Sequence, residues 1–178
     1  MSIFAKDSGG KFVAAPEGLH EAVCVDVVDL GLVKGPWGEK PSVRIIWQID
    51  ALEPQKHDDG TENKRSGKRF LVRRQFGLNL SEKGHLRPFL EAWRGRKFTS
   101  GELEGFDLER LIDVGCQLQV IHNIKESGKV YANVQAAVPL GKSAIKMGVA
   151  DDYVRVQDRK DADDDSMPAA TGDEEAPF

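Results

Sequence analysis

The sequence predicts a mainly β protein, a five-stranded Greek-key barrel with one helix between its third and fourth strands. Five segments of the chain alternate apolar and polar residues and are rich in β-branched side chains. The one clear helical pattern, with apolar residues three and four positions apart, falls between the third and fourth segments. This order of elements is that of the OB-fold. A different small barrel or an open sandwich would use the same elements.

The chain divides into three regions. Residues 1–17 predict a loose N-terminal arm, residues 18–149 the OB-fold domain, and residues 150–178 a disordered acidic tail. The last eighteen residues hold seven carboxylates and no Lys or Arg. Such a segment buries too little apolar surface to offset its chain entropy, so we expect it to be disordered.

Two strands and a turn are predicted first. Residues 19–30 and 42–50 alternate as strands, and residues 31–41, dense in Gly and Pro, form the turn segment between them. The first strand places Val23, Val25 and Val27 on one face and Ala22, Cys24 and Asp26 on the other. The second strand places Val43, Ile45, Trp47 and Ile49 on one face and Arg44, Ile46 and Gln48 on the other.

The later elements follow the same logic. Residues 53–67 are polar and predict a long mobile loop, a candidate site because loops of this length are usually functional. Residues 68–80 form the third strand, and residues 82–93 a helix whose apolar stripe is Leu86, Phe89, Leu90 and Trp93. Within residues 99–113, Asp107 is placed to cap a short helix over 108–112.

The last two strands are joined by a hairpin turn. Residues 114–124 predict the fourth strand, with Cys116, Leu118 and Val120 facing inward, and residues 126–129 the turn. Residues 130–138 predict the fifth strand. Its inward residues are Val130, Ala132, Val134 and Ala136, and its outward residues are Tyr131, Asn133 and Gln135.

Charge is unevenly distributed along the chain. The net charge of −4 combines a basic body with a tail region, residues 150–178, that carries ten acidic and three basic residues. A basic body beside an acidic appendage suggests a polyanionic partner. No stretch predicts a signal peptide or membrane span, and two isolated cysteines predict buried thiols, so we expect a cytoplasmic, reduced protein without a membrane partner.

The strongest signal for function lies between residues 64 and 97. This stretch holds eleven basic residues against Glu82 and Glu91, with aromatic residues interleaved. Basic side chains along a phosphate backbone, with aromatic rings on which bases stack, are what sequence-independent binding of single strands requires. Phe70, Phe89 and Trp93 fit apolar stripes and are expected in the core, as is Trp47.

Several residues are candidates for contact with the nucleic acid. Arg73 and Arg74 are adjacent and point to opposite faces of a strand, whereas Arg73 shares a face with Arg69. Trp37, in a Gly/Pro turn, serves as a stacking platform or a lid, and Tyr131 is a second stacking candidate. The full candidate set is Trp37, Arg44, Lys64, Arg65, Lys68, Arg69, Arg73, Arg74, Phe76, Arg94, Arg96, Lys97, Lys129 and Tyr131.

Signals of catalysis are absent from the sequence. There is no phosphate-binding loop, because the segment after Gly35 lacks the required spacing of Gly, Lys and Ser or Thr. The four histidines are scattered, without Cys or carboxylates at metal-ligand spacing. The sequence therefore predicts neither an enzyme nor a metal site nor a cofactor.

The chain resembles single-stranded DNA-binding (SSB) proteins of bacteria and phages. The acidic tail ends in a small residue, Pro177 and Phe178, as tails of that family do. The body resembles phage-encoded members in residues 15–22, 47–50, 86–94 and 129–135. The resemblance implies an OB-fold, protection of single-stranded DNA during replication or recombination, and a tail that competes with DNA and docks partner proteins. The docking residues would be Asp173, Glu174, Glu175, Pro177 and Phe178.

The sequence therefore favours a phage or phage-derived SSB protein that could also pair as a homodimer through an exposed barrel edge. An RNA-binding OB protein is an alternative. A replication or recombination scaffold whose body binds protein is another, and a nuclease is the least favoured reading.

Overall fold

The computed structural model describes residues 13–159 and confirms a mainly β protein. One antiparallel sheet has five strands: β1 Gly18–Gly35, β2 Gly38–Leu52, β3 Arg69–Gly77, β4 Gly115–Ile124 and β5 Val130–Val138. Their order across the sheet is β3-β2-β1-β4-β5. The helices are α1 Leu86–Arg94, α2 Ser100–Glu104 and two short 3-10 helices, Leu108–Leu111 and Val156–Asp158. No helix within residues 13–159 has the length and apolar character needed to cross a membrane.

The helix α1 packs its apolar stripe on one face of the sheet, here called the inner face. Leu86, Phe89, Leu90 and Trp93 are all buried, as their spacing predicts. The Trp47 ring from β2 lies 5.7 Å from the rings of both Phe89 and Trp93. Pro88 is the third helical residue, in the first turn, where its missing N–H has no partner to lose. The inner face and α1 therefore form the main core.

The hairpin between β1 and β2 is longer than the sequence predicts. Only Pro36 and Trp37 form the turn, so the prediction of a turn over residues 31–41 is wrong in its extent. The β1–β2 register shifts between Asp29 and Gly31, where Gly31 adopts a left-handed φ of 63° and donates its N–H to Asp29. This bulge lets pairing continue through the Gly/Pro segment. The two strands thus extend beyond the core as an exposed ribbon, residues 31–41.

Two β-bulges reverse the predicted faces of strands. In β1, Val25 has no partner in β2 between Cys24 and Asp26, so Val27 packs on the inner core while Val23 and Val25 lie on the opposite, outer face. In β5, Gln135 is the extra residue, and Ala137 is buried where Ala136 was predicted. A bulge adds one residue to one strand and therefore inverts the alternation beyond it.

The outer face of the sheet is covered by a segment that the sequence assigned largely to the tail. Met147, Val149, Tyr153 and Val156 pack on Val23, Val25 and Ile46, a second apolar cluster. We call residues 146–156 the C-terminal strap. The predicted tail began at residue 150, but residues 150–159 lie on the folded body because these apolar side chains are interspersed among the acidic ones. The remaining tail residues, 160–178, lie outside the described part of the chain.

The end of the predicted N-terminal arm also packs on the body. Ala15 is buried, and Val13 contacts the main core. His122 fixes this segment, because its Nε2 lies 2.6 Å from the Ala15 carbonyl oxygen and its backbone N–H donates to Glu17. The described part of the arm, residues 13–17, is thus held against β4.

Candidate nucleic-acid interface

Two arginines lie side by side on the outer face of the sheet, next to Ile46, on which the strap packs. In the β2–β3 register Arg44 is opposite Gln75 and Arg73 is opposite Ile46, so the two arginines are diagonal neighbours on one face. Both are half-buried. Within residues 13–159 neither forms an ion pair, and the buried Nε of Arg44 has no hydrogen-bond acceptor. The sheet therefore presents two adjacent cations without an anionic partner among the described residues.

The two guanidinium groups of this pair repel each other when no anion is bound. Burial first, and then repulsion from Arg44, lower the pKa of Arg73 to about 10. A guanidinium still carries its charge at neutral pH, so the protein holds two like charges together in a partly desolvated place. An anion between them would offset this repulsion, and guanidinium groups match phosphate in geometry.

The exposed ribbon extends this surface. Trp37 lies at its tip with 87% of its surface exposed, which leaves the indole ring free to stack on a planar group. Lys40 lies on the same face of β2 as Arg44 and is exposed, although it is not among the residues predicted from the sequence. Lys40 lies an even number of residues before Arg44. This spacing places the two side chains on one face only because the strand is continuous between them.

The strap occupies two other predicted contact residues. Arg69 shares the outer face with Arg73, as expected, but it donates to the backbone carbonyl of Gly148 and to Gln48. The Lys68 ammonium lies 3.3 Å from the Asp152 carboxylate. The pair of arginines that the structure leaves open is therefore Arg44 with Arg73, whereas the sequence favoured Arg69 with Arg73.

The loop between β2 and β3 is held by its own polar contacts. Glu53 accepts from Arg65 Nε at 2.6 Å and from the amide of Asn63, which also donates to the Pro54 carbonyl. Lys56 and Glu62 form a backbone bridge. Arg65 is thus part of the loop's internal structure, while Lys64 is exposed.

Arg74 and Phe76 lie on the inner side and serve the fold. Phe76 is buried in the main core, so its prediction as a stacking residue is wrong, since alternation in β3 turns it toward α1. The Arg74 guanidinium lies 4.9 Å from the Phe76 ring centre and donates to the carbonyls of Val134 and Gln135. Arg74 therefore links the edge strands β3 and β5.

Arg94 and Arg96 contact an acidic residue of α2. Both oxygens of Glu102 accept from Arg94, at 2.9 and 3.0 Å, and one also accepts from Arg96. Arg94 stacks over Phe98 as well. The local excess of positive charge counted between residues 64 and 97 is thus partly neutralised by Glu102, and Lys97 is the exposed cation that remains here.

The ion pair between Arg94 and Glu102 should make the stability of the fold depend on pH. The hydrogen bonds from Arg94, and then from the Thr99 backbone, lower the pKa of Glu102 from 4.5 to about 2. A carboxyl group whose pKa is lower in the folded protein than in the unfolded one stabilises the fold at pH values above the unfolded-state pKa. This contribution to the free energy of unfolding is lost as the pH falls through the folded-state pKa. We expect urea unfolding of Glu102→Gln to show a smaller stability loss between pH 4.5 and 2 than the unsubstituted protein. Glu104→Gln, at the exposed end of the same helix, is the control and should behave as the unsubstituted protein.

Lys129 and Tyr131 lie at the other hairpin. Lys129 is exposed in the turn between β4 and β5, and Tyr131 is half-buried near the start of β5, opposite Asn123. β3 and β5 run in the same direction, since each follows β1 by two antiparallel pairings. Within β5, Ala132 and Val134 pack on the main core, so alternation places Tyr131 on the outer side of this strand.

Metal-ligating side chains and thiols are the remaining groups to consider within residues 13–159. Within residues 13–159 no three His, Cys, Asp or Glu side chains come together as metal ligands. Cys24 and Cys116 are buried free thiols, as predicted, and burial raises the pKa of both well above its usual range. No protein-family model matches this sequence, and no curated protein matches it either.

Proposed function

We propose that the protein binds single-stranded DNA without sequence preference on the outer face of β2 and β3, without catalysis or cofactor. The observation that carries this proposal is the Arg44–Arg73 pair, two adjacent half-buried cations with no anionic partner within residues 13–159. A phosphate is the anion that such a pair fits best. A chain of phosphates would also engage Lys40 and the exposed Lys64.

The strand connections support the finer proposal of an OB-fold. β1, β2 and β3 follow one another as an antiparallel meander, α1 precedes β4, and β1 pairs with both β2 and β4. Arg74 brings the edge strands β3 and β5 together. In OB-folds the face of strands two and three and the adjacent loops bind oligonucleotides, and Arg44, Arg73 and Trp37 occupy these positions here.

Stacking on Trp37 is the direct test of the proposal. We expect oligo-dT to quench tryptophan fluorescence, because Trp37 is exposed whereas Trp47 and Trp93 are buried in the core. Trp37→Ala should abolish the quenching and weaken binding by about 1–3 kcal/mol, while Trp37→Tyr keeps a stacking ring. Leu32→Ala, a truncation of another exposed apolar residue on the same ribbon, is the matched control. Quenching that survives Trp37→Ala would remove this residue from the interface.

The same titration distinguishes the other candidate functions. An RNA-binding protein would bind oligo-U more tightly than oligo-dT at equal salt. A scaffold protein would show no salt-dependent binding of either strand, and a nuclease would shorten the oligonucleotide when Mg²⁺ is added. We expect binding of oligo-dT without cleavage, with log K falling by about 0.7 per phosphate contact for each unit of log salt.

We further propose that the protein acts as a phage or phage-derived SSB protein in the cytoplasm of a bacterial host. Its tail would dock replication or recombination proteins through Asp173, Glu174, Glu175, Pro177 and Phe178. These residues lie outside the described part of the chain, so the proposal rests on their sequence alone. Deletion of Phe178 should abolish capture of such partners and leave oligo-dT affinity unchanged.

A further inference from the structure

The basic residues of the outer face form a row that passes beneath the strap. Lys40 and Arg44 lie on one face of β2, and Arg73 and Arg69 continue the row on β3. Arg73 and Arg69 are four residues apart, a distance of about 13 Å along a strand. The first part of the row is open, whereas Arg69 and the neighbouring Lys68 are contacted by the strap.

The strap contacts these two cations through oxygen atoms. Arg69 Nη1 donates to the Gly148 carbonyl oxygen, and Lys68 Nζ lies 3.3 Å from Asp152 Oδ2. A phosphate would offer the same cations the same kind of acceptor, with more negative charge. Strap oxygens and phosphate oxygens therefore compete for Arg69 Nη1 and Lys68 Nζ.

The two halves of the strap are attached to the body with different strength. Residues 153–156 are anchored at the buried Asp26, which accepts from Tyr153, Arg155 and the Val156 backbone. Residues 148–152 are held by the Ala150 N–H to Gln48, by the Arg69 contact, by an exposed ion pair and by Val149, which packs on the second apolar cluster. The exposed ion pair contributes little to stability and Val149 is only half-buried, so this half can leave the sheet while the Asp26 anchor remains.

We infer that residues 148–152 of the strap are an internal competitor that a sufficiently long single strand displaces from Arg69 and Lys68. The inference rests on the proposed binding of DNA at Arg44 and Arg73. A short strand fills only the open part of the row. A longer strand continues along β3, takes the two covered cations and lifts residues 148–152 from the sheet.

Hydrogen exchange tests this displacement in the full-length protein. The probes are oligo-dT of about 4 and about 16 nucleotides, the limits of single-strand site size for one OB domain. We expect the amides of residues 148–152, among them the Ala150 N–H bonded to Gln48, to exchange faster with the long strand and at an unchanged rate with the short one. Slower exchange with the long strand would mean that DNA lies over a closed strap, which overturns the inference.

A pair of matched substitutions gives the second measurement. Asp152→Asn removes the ion pair with Lys68, and Asp151→Asn removes the same charge one residue away, where no basic partner is found within residues 13–159. At low salt Asp152→Asn should tighten binding of the long oligo-dT about two- to fivefold relative to Asp151→Asn. The two variants should bind the short oligo-dT equally.

The outcomes separate this inference from the proposed function. If neither oligo-dT binds, the proposed function fails. If both bind but the two variants are identical with the long strand and strap exchange does not rise, the strap is a fixed part of the fold and only this inference fails.

Discussion

Replacing Arg44 and Arg73 together by alanine should weaken oligo-dT binding by about 100-fold. Each guanidinium that bonds a phosphate contributes about 1.5 kcal/mol, and 1.4 kcal/mol corresponds to a factor of ten. The loss of two phosphate contacts should also reduce the slope of log K against log salt by about 0.7 for each contact. Fluorescence titration of oligo-dT at several salt concentrations measures both quantities.

Stability distinguishes a binding role of this pair from a structural one. The two arginines repel each other, and within residues 13–159 neither has an ion-pair partner, so their removal should leave the midpoint of urea unfolding unchanged or raise it. The double variant Lys83→Ala and Arg110→Ala is the control, because it removes the same charge from exposed positions outside the sheet. Equal loss of affinity in both double variants would show that only net charge matters and would move the interface away from β2 and β3.

Asp26→Ala should lower the free energy of unfolding by about 3–5 kcal/mol. The Asp26 carboxylate has 2% of its surface exposed and accepts from Tyr153, Arg155 and the Val156 backbone. Its removal leaves the Tyr153 hydroxyl and the Val27 and Val156 N–H groups without their acceptor, and it takes from Arg155 its buried carboxylate partner, so that among the described residues only the exposed Glu109 remains. Urea unfolding measures the loss, and the change in midpoint at constant slope reports it directly.

A second aspartate in the same strand provides the control. Asp29 is exposed and accepts one hydrogen bond, from the Gly31 N–H. Asp29→Ala should therefore cost less than about 1 kcal/mol. Asp26→Asn keeps an acceptor oxygen without the charge and should lie between the two. If Asp26→Ala and Asp29→Ala were equally mild, the strap would contribute nothing to the stability of the body.

The buried elements of this protein were predictable because their patterns are local. Cys116, Leu118 and Val120 in β4 and the α1 stripe are buried as expected, since periods of 2 and 3.6 state which side chains share a face. Asp107 caps a short helix as predicted, although the helix is a 3-10 turn. The predicted strand faces are wrong only beyond Val25 and Gln135, because the alternation of apolar and polar residues in the sequence does not show where a bulge inserts an extra residue.

The candidate site was predicted in composition but not in arrangement. Arg44 and Arg73 were both selected, yet their pairing depends on the β2–β3 register, which no local pattern contains. Arg65, Arg74 and Arg94 were selected for their charge, and the structure commits each to a partner far along the chain or in another element. A count of charges cannot reveal such partners.

The sequence by itself determined the five strands, the helix between β3 and β4, the buried aromatic residues and the contrast between a basic body and an acidic end. Only the tertiary structure decided which cations have no ion-pair partner within residues 13–159 and that residues 150–159 belong to the body. Tyr153 and Val156 stand among acidic residues whose composition indicates disorder, and they pack on the sheet because the β1 bulge turns Asp26 toward them. Local periodicity indicates which residues share a face of a strand or helix, whereas contacts between distant segments of the chain decide which residues pack against that face.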